Sequence, residues 1–295
     1  MASEPISDLT PEHATKASAE EQAEQAMFAK YPSLQKMMGV PPEEIVESHD
    51  GRETSLLKYI YSHPKLDSEL RGSPTAIMAA MDEFAAKEEF LINIGSDKAK
   101  LLSDLIHEHK PKVLLELGTY VGYSAILFGN AMREVSLKGN EARDEKPRIY
   151  SLELDPLIAS IAMNFVNLAG LGDIVEVIVG PSAHTLQRLH DQGVLGSGSV
   201  DMIFLDHAEE LYKPDLELCE KLGYLDSSGA CVVADNVVRP GAPEYRKYVR
   251  NNSRFSKSWG VPSLIVPGDL HDEVEISLVG DSEVKGAEKK RQRTE

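Results

Sequence analysis

The feature that most constrains the fold is an alternation of short apolar runs with amphipathic stretches through most of the chain. Five runs of strand length each precede a stretch whose apolar residues recur with helical spacing, for example VLLEL at 113–117 before a helix expected over 122–134. This alternation is typical of an α/β fold, in which mostly parallel strands form a sheet with helices on both faces. Ligands of such sheets bind at the carboxyl ends of the strands, near the point where the strand order reverses.

The pattern predicts the individual elements. Strands are expected over 113–117, 149–154, 174–179, 202–206 and 230–235, and helices over 76–89, 96–109, 122–134, 156–168, 182–190, 212–222 and 243–252. Two more apolar runs, at 263–267 and 274–279, have no convincing helix between them. They predict a closing antiparallel hairpin and bring the expected number of strands to seven.

Both ends of the chain differ in composition from its middle. The first 50 residues contain ten acidic residues and three lysines. Thr10-Pro11 could begin a helix through 12–30, because Thr caps helices and Pro suits the first turn. Its apolar face is thin, so residues 1–52 are expected to form a loosely attached extension, partly disordered or helical. The main domain is expected over 53–282, and residues 283–295 are expected to form a charged disordered tail.

Composition excludes several classes of protein. A hydrophobic fraction of 42% is enough for a large core, and a net charge of −17 argues against a nucleic-acid partner. The apolar runs are too short to cross a bilayer, and the first residues lack the pattern of a secretory signal, so a cytoplasmic protein without a membrane partner is expected. Cys219 and Cys231 lie in apolar stretches and are expected to be reduced core residues.

A glycine-bearing turn follows the first predicted strand. Gly118 and Gly122 would let the backbone approach a ligand closely, and the next helix offers free N–H groups at its start. Glu116 is an unusual carboxylate in an apolar strand and would attract a cationic ligand. Glu153 ends the second strand, where an acid can accept hydrogen bonds from ribose hydroxyls. The pattern indicates a nucleoside-bearing cofactor, with an ordinary surface glutamate beside a tight turn as the alternative.

Oxygen donors follow two later strands. Asp206 comes after MIFL, and Asp235-Asn236 comes after CVVA. Two carboxylates and an amide oxygen at neighbouring strand ends suit Mg²⁺. Asp and Asn also cap helices frequently, so the spacing alone leaves a metal site and helix caps equally open.

Several motifs together resemble one enzyme family. LLELGTYVGYSA (114–125), SLELDP (151–156), MIFLDH (202–207) and ADNVVRPGAPEY (234–245) are similar to catechol O-methyltransferase and its relatives over residues 55–282. The resemblance implies a Rossmann-like class I methyltransferase fold with a mostly parallel seven-stranded sheet and a final antiparallel strand. It also implies S-adenosylmethionine and Mg²⁺ as cofactors, and a small catechol-like molecule as substrate. The protein is expected to be a monomer or a weak homodimer.

The resemblance also implies a role for individual residues. The late acid that bonds a catechol hydroxyl corresponds to Glu273, with Asp272 or Glu275 as alternative matches. The implied cofactor contacts are Asn93, Ile94, Glu116, Gly118, Tyr120, Ser124, Glu153, Ser182, Asp206 and His207. The implied metal ligands are Asp206, Asp235 and Asn236, and the implied substrate contacts are Phe90, Asp206, Asn236, Pro240 and Glu273.

The chain departs from the family directly after the first implied metal ligand. The family's usual Asp-His-Trp-Lys is here Asp206, His207, Ala208 and Glu209. Ala208 opens the substrate slot, and Glu209 replaces the lysine that accepts the phenol proton. Glu209 could act as a modest base, or Lys213 or Lys98 could supply the missing amine. Three interpretations therefore stand: an active catechol-type enzyme, a weak or inactive relative that binds cofactor and metal, and a methyltransferase with another acceptor.

Overall fold

A single seven-stranded sheet forms the centre of the protein, which is described by a computed structural model over residues 22–41, 44–138, 146–227 and 229–280. The strands are β1 (Val113–Leu117), β2 (Arg148–Glu153), β3 (Val175–Val179), β4 (Met202–Leu205), β5 (Cys231–Ala234), β6 (Phe255–Ile265) and β7 (Leu270–Val279). Their order is β3-β2-β1-β4-β5-β7-β6. Strands β1 to β5 are parallel and β7 is antiparallel to both neighbours. The order reverses between β1 and β4, so a binding site is expected above these two strands.

Helices cover both faces of the sheet. They are α1 (within 22–30), α2 (Arg52–Tyr61), α3 (Pro74–Lys87), α4 (Gly95–His109), α5 (Tyr123–Lys138), α6 (Pro156–Leu168), α7 (Ser182–Asp191), α8 (Tyr212–Lys221) and α9 (Pro243–Asn251). One hydrophobic core packs α2 to α6 against one face, and a second core packs α7 to α9 against the other. No helix of the described residues is long and apolar enough to cross a membrane.

Local sequence signals explain where the helices begin. Ser73 caps α3 by accepting a hydrogen bond from the backbone N–H of Ala76, and Pro74 occupies the first turn. Asp155 caps α6 by accepting from the N–H groups of Leu157 and Ile158. The predicted strands β1 to β5, and the helices that follow them, agree with the structure to within a few residues at each end. The expected hairpin is present, and the two cysteines are free and buried.

Two regions differ from the expectation. Strand β6 begins at Phe255, eight residues before the predicted start, because it lies at the sheet edge and its first half is polar. Helix α2 was not predicted, because its sequence has a narrow apolar face. In the structure only Leu56 and Ile60 of that face are fully buried.

The described part of the N-terminal extension also packs against the domain. The hydroxyl of Tyr31 donates to Asp269 at 2.6 Å, and that of Ser33 donates to the carbonyl oxygen of Ala85 at 2.5 Å. Residues 22–41 are therefore not the loosely attached arm expected from composition. The remainder of the predicted helix over 12–30, and the predicted tail at 283–295, lie outside the described residues.

Candidate active site

A large cavity lies at the carboxyl ends of the strands, above the switch point between β1 and β4. Its volume is about 1520 Å³, larger than the roughly 300–1,000 Å³ usual for a site that holds one drug-sized molecule. The loops after β1, β2, β3, β4 and β5 contribute to its lining, together with parts of the N-terminal extension and of the β6–β7 connection. The cavity therefore has room for a cofactor and an acceptor together.

The turn after β1 forms one wall of this cavity. Gly118 has φ +98°, and a Cβ atom there would lie 2.0 Å from the backbone oxygen of Asp206. Gly122 has φ +90°, and its Cβ would lie 3.2 Å from the Cβ of Ala162 on α6. Both positions require glycine because protein backbone and side chains pack against them, in addition to any approach by a ligand.

Two glutamates flank this turn. Glu153 accepts the backbone N–H of Tyr120 at 2.8 Å on one carboxylate oxygen and that of Asp155 at 2.9 Å on the other. Burial raises the pKa of Glu153, and these bonds counteract that rise. A carboxylate has about four lone-pair positions, so Glu153 can still accept a bond from a ribose hydroxyl.

Glu116 lies beneath the turn rather than on the cavity surface. Its carboxylate accepts a hydrogen bond from Ser151, whose hydroxyl also contacts that of Thr119. Complete burial raises the pKa of Glu116 to about 7. A ligand ammonium group nearby would favour its ionised form.

Two described side chains of the cavity lining have buried polar atoms without a partner in the structure. These atoms are Nδ2 of Asn93 and Nδ1 of His207, and both residues line the cavity. The other ring nitrogen of His207 lies 2.9 Å from Asp215, which fixes the ring orientation. Buried polar atoms are costly when unpaired, so these two fit contacts with a polar cofactor.

The candidate metal ligands follow β4 and β5. Leu205 and Ala234 are register partners, so Asp206 and Asp235, the next residues, lie side by side. Burial and the charge of Asp235 raise the pKa of Asp206 well above its usual value. Asp235 keeps its Oδ2 atom buried and unpartnered, and Asn236, at φ +53°, lines the cavity. Two adjacent carboxylates and an amide oxygen fit a hard divalent cation, which would relieve this repulsion.

Among the described residues no group of three or more His, Cys, Asp or Glu side chains could hold a metal ion. The candidate set contains only two such residues, because its third donor is the Asn236 amide.

A buried lysine, Lys98, forms ion pairs with two carboxylates at this site. The ammonium group of Lys98 lies 2.6 Å from Asp235 and 2.7 Å from Asp272, and all three side chains are at most 1% exposed. Burial lowers the pKa of Lys98, but the two carboxylates outweigh it and the pKa is raised. Asp272 also accepts hydrogen bonds from the backbone N–H groups of Val238 and Arg239 at 3.2 and 3.0 Å. Asp272 thus ties β7 to the loop that carries Asn236.

The structure does not bring Glu273 to the cavity. Its carboxylate accepts a bond from Arg246 at 2.5 Å, and Glu275 pairs with Arg250 at 2.7 Å. Successive residues of a strand point to opposite faces, so Glu273 and Glu275 face α9 while Asp272 faces Lys98 and Asn236. The expectation that Glu273 contacts substrate is corrected, and Asp272 is the late acid nearest to the candidate metal ligands.

The other expected site residues divide between the surface of the cavity and the layer beneath it. Glu116 and Asp235 lie beneath the surface. The lining contains Phe90, Asn93, Ile94, Gly118, Tyr120, Ser124, Glu153, Ser182, Asp206, His207, Glu209, Asn236 and Pro240.

Similar proteins agree on the class of this site. A family model described as O-methyltransferase matches residues 71–252. Catechol O-methyltransferase of Bos taurus is 35% identical over 207 residues, which cover 70% of this chain and 69% of the bovine protein. The chain belongs to the O-methyltransferase family that includes catechol O-methyltransferase.

Two further comparisons extend this result. Catechol O-methyltransferase B of Danio rerio is 32% identical over 208 residues, covering 70% of this chain and 72% of that protein. An O-methyltransferase of Bacillus cereus, solved in complex with SAH, shares the fold with a TM-score of 0.56 at 19% identity, covering 86% of this chain and 99% of that one. The fold is therefore the Rossmann-like class I methyltransferase fold that the sequence predicts.

In this O-methyltransferase no lysine occupies the position of the expected base. Glu209 lines the cavity, and burial together with the charge of Glu210 raises its pKa. Lys98 is held as an ammonium ion between two carboxylates, and Lys213 packs its amine over the ring of Tyr248 outside the cavity lining. Neither lysine is suited to accept a phenol proton, whereas Glu209 is a titratable side chain that lines the cavity directly after Asp206 and His207.

Residues of the N-terminal extension were missed by the sequence interpretation. The arginine Arg52, 7% exposed, donates to the carbonyl oxygens of Val46 and Phe90 at 2.5 and 2.8 Å. It thereby fastens the extension to the loop before α4. Glu53 accepts a hydrogen bond from the hydroxyl of Tyr120 at 2.9 Å. In the sequence, the extension shows scattered methionines and Phe28. This pattern is too sparse to predict that the extension forms a wall of the cavity.

Proposed function

We propose that this enzyme transfers a methyl group from S-adenosylmethionine to one hydroxyl of a catechol-like acceptor in a Mg²⁺-dependent reaction. The observation that carries the proposal is the pair of oxygen-donor positions, Asp206 and Asn236, that open into the same cavity as the Gly118 turn and Glu153. The printed names of the Bos taurus and Danio rerio relatives, and the SAH complex of the Bacillus cereus enzyme, support the same proposal.

The cofactor would occupy the side of the cavity formed by the loops after β1, β2 and β3. Glu153 would accept the ribose hydroxyls, and the buried carboxylate of Glu116 would favour the ammonium group of the methionine part. Asn93 would donate its free Nδ2 hydrogens to the cofactor. These contacts would leave the loops after β4 and β5 to line the part of the cavity where the acceptor would lie. Holding the reacting atoms in line can supply about 7–11 kcal/mol of the barrier reduction.

Asp206, Asp235 and Asn236 would hold Mg²⁺ next to the acceptor. When bound, this ion would supply Lewis-acid stabilisation of the acceptor oxygens. Side chains of the protein would supply the positioning of these ligands and the acceptance of the proton. Asp272 and Lys98 fix the positions of Asp235 and of the loop at Asn236. Glu209 would accept the proton of the reacting hydroxyl, and its raised pKa makes it a better acceptor than an exposed glutamate.

The test is transfer of labelled methyl from S-adenosylmethionine to a panel of catechols, with Mg²⁺ and with EDTA. Transfer that requires Mg²⁺ is the expected result. Transfer that persists unchanged in EDTA contradicts the role of the metal. Cofactor binding without transfer to any catechol contradicts the proposed acceptor.

A second candidate is a relative that binds cofactor and metal but transfers methyl groups slowly. One observation favours it. Among the described residues Lys98 is the lysine that lines the cavity, and its ammonium group is held in two ion pairs, so it is not suited to accept a proton. Single-turnover measurements separate the two candidates. The second candidate requires saturable cofactor and Mg²⁺ binding together with a methyl-transfer step that stays slow at every acceptor concentration.

A further inference from the structure

The N-terminal extension contributes an apolar chamber to the cavity. Its walls are Met27, Phe28, Met37 and Met38 of the extension and Leu270 at the start of β7. This set is called the N-terminal chamber below. The chamber shares one cavity with Asp206 and Asn236, so a molecule whose reacting oxygen lies at those residues can extend into it.

The described part of the extension is fixed to the domain at two places. Lys30 and Tyr31 bind the two carboxylate oxygens of Asp269 at 2.5 and 2.6 Å, in the connection between β6 and β7. Arg52 donates to the carbonyl oxygen of Phe90 at 2.8 Å, in the loop before α4. The chamber is therefore a formed part of the structure, held by contacts that do not involve a ligand.

Several large apolar side chains of the cavity lining are exposed. In the chamber, Met38 is 57% exposed and Leu270 is 43% exposed. Elsewhere in the lining, Ile92, Leu154, Leu211 and Val238 are 41%, 67%, 41% and 45% exposed. Large exposed apolar side chains gathered around one opening mark a surface that binds an apolar group.

The charges of the lining restrict what this group can be. Among the described residues, five carboxylates line the cavity: Glu24, Glu47, Glu153, Asp206 and Glu209. The lysine and arginine side chains of this described lining are Lys98, which is ion-paired, and Arg239. An anionic substituent would be repelled by this excess of negative charge, whereas an uncharged apolar group would not.

We propose that the acceptor is a catechol bearing a large uncharged apolar substituent, and that the N-terminal chamber binds this substituent. The proposal rests on the proposed methyl transfer and specifies its substrate class. Ala208, where the family usually has tryptophan, also lines this cavity, and its small side chain leaves more space there than tryptophan would. The N-terminal chamber then selects acceptors by the length of their apolar part.

The experiment uses the full-length protein with Mg²⁺ and SAH, and measures binding of 4-methyl-, 4-butyl- and 4-octylcatechol by calorimetry. Each methylene group that enters the chamber should tighten binding about two- to fourfold until the chamber is filled. An octyl chain ending in a carboxylate should bind more weakly than plain 4-octylcatechol. Equal dissociation constants across the series would overturn the proposal.

Two matched variants locate the effect. Met38 and Val46 belong to the same extension and are 57% and 56% exposed, but only Met38 lines the cavity. Met38→Ser should weaken binding of 4-octylcatechol about five- to tenfold and leave that of 4-methylcatechol nearly unchanged. Val46→Ser should change neither. Equal effects of both variants would show that the chamber does not hold the chain.

Methyl transfer to the same compounds separates this proposal from the proposed function. Binding that tightens with chain length, without any transfer, would contradict the methyl-transfer reaction and leave the chamber supported. Transfer to every catechol at one value of kcat/KM would support the reaction and overturn the chamber as a selector of acceptors.

Discussion

Replacing Lys98 by methionine tests whether the buried ion triad stabilises the fold at the candidate metal site. The ammonium group contacts Asp235 and Asp272 at 2.6 and 2.7 Å, and all three side chains are at most 1% exposed. Methionine preserves most of the length and apolar volume of the lysine stem. The Lys98→Met variant therefore removes a charge from the triad while largely retaining its packing.

The expected loss follows from what remains after the substitution. Removing one partner of a buried ion pair costs about 3–5 kcal/mol, because an uncompensated charge is left behind. Asp272 keeps three other donors, the N–H groups of Val238 and Arg239 and the amide of Asn236. Asp235 keeps the backbone N–H of Asn236 at 2.8 Å. These bonds place the expected loss at the lower end, about 3 kcal/mol of unfolding free energy.

Lys100 supplies a matched control on the same helix. It pairs with Asp104 at the same 2.6 Å, but the two side chains are 82% and 64% exposed. An exposed pair four residues apart contributes about 0.3–0.5 kcal/mol. Urea unfolding of Lys98→Met and Lys100→Met, compared at equal m-values, measures both losses. A loss for Lys98→Met no larger than that for Lys100→Met would refute the buried triad.

A second substitution checks the cause. Adding Asp272→Asn to Lys98→Met removes one of the stranded negative charges. The double variant should therefore lose less stability than the sum of the two single losses. Strict additivity would mean that Lys98 stabilises the fold through packing and not through its charge.

Further predictions concern the cavity itself. Asp206→Ala should abolish Mg²⁺-dependent methyl transfer while calorimetry still detects S-adenosylmethionine binding; full activity would contradict the assignment. Glu153→Ala should raise the cofactor dissociation constant by a factor equivalent to about 1–3 kcal/mol, since charge-assisted bonds are lost. Glu209→Lys should raise the turnover of plain catechol, and a fall would show that the carboxylate has a positive role. Burial raises the pKa of Glu116 from 4.5 to about 7, so its contribution to stability is present below about pH 4.5 and is lost as pH rises through 7. Without cofactor, Glu116→Gln should thus gain up to about 3 kcal/mol relative to wild type between pH 4.5 and 8, and parallel stability curves would contradict this.

The sheet could be predicted because its buried strands carry a strong local signal. Strands β1, β4 and β5 are short apolar runs, each followed by a helix, and the connection rules of α/β folds then fix their neighbours. The same rule brings Asp206 and Asp235 together, since the ends of paired parallel strands lie at one edge. The proximity of these two carboxylates was therefore predictable from strand ends, whereas their role as metal ligands stays a prediction.

The choice among Asp272, Glu273 and Glu275 could not be predicted in this way. A shift of one residue in strand register exchanges the two faces of a strand, and three acids within four residues leave the register open. The pairing of Asp272 with Ser263 and of Glu273 with Pro262 decides it. The N-terminal extension escaped prediction because its contacts are with distant parts of the chain: Ser33 and Ala85 are 52 positions apart, and Tyr31 and Asp269 are 238 positions apart.

The exchange of lysine for Glu209 affects more than the identity of the base. A lysine ammonium at this position would stabilise a neighbouring phenolate, whereas a carboxylate opposes its formation. Asp206, whose own pKa is raised by burial and by Asp235, adds to the same negative field. Under the proposed reaction, compensation for the charge of a developing phenolate then falls mainly to a divalent cation. It follows that methyl transfer by this chain should depend on Mg²⁺ more strictly than transfer by a relative that retains the lysine, and that Glu209→Lys should reduce this dependence as it raises turnover.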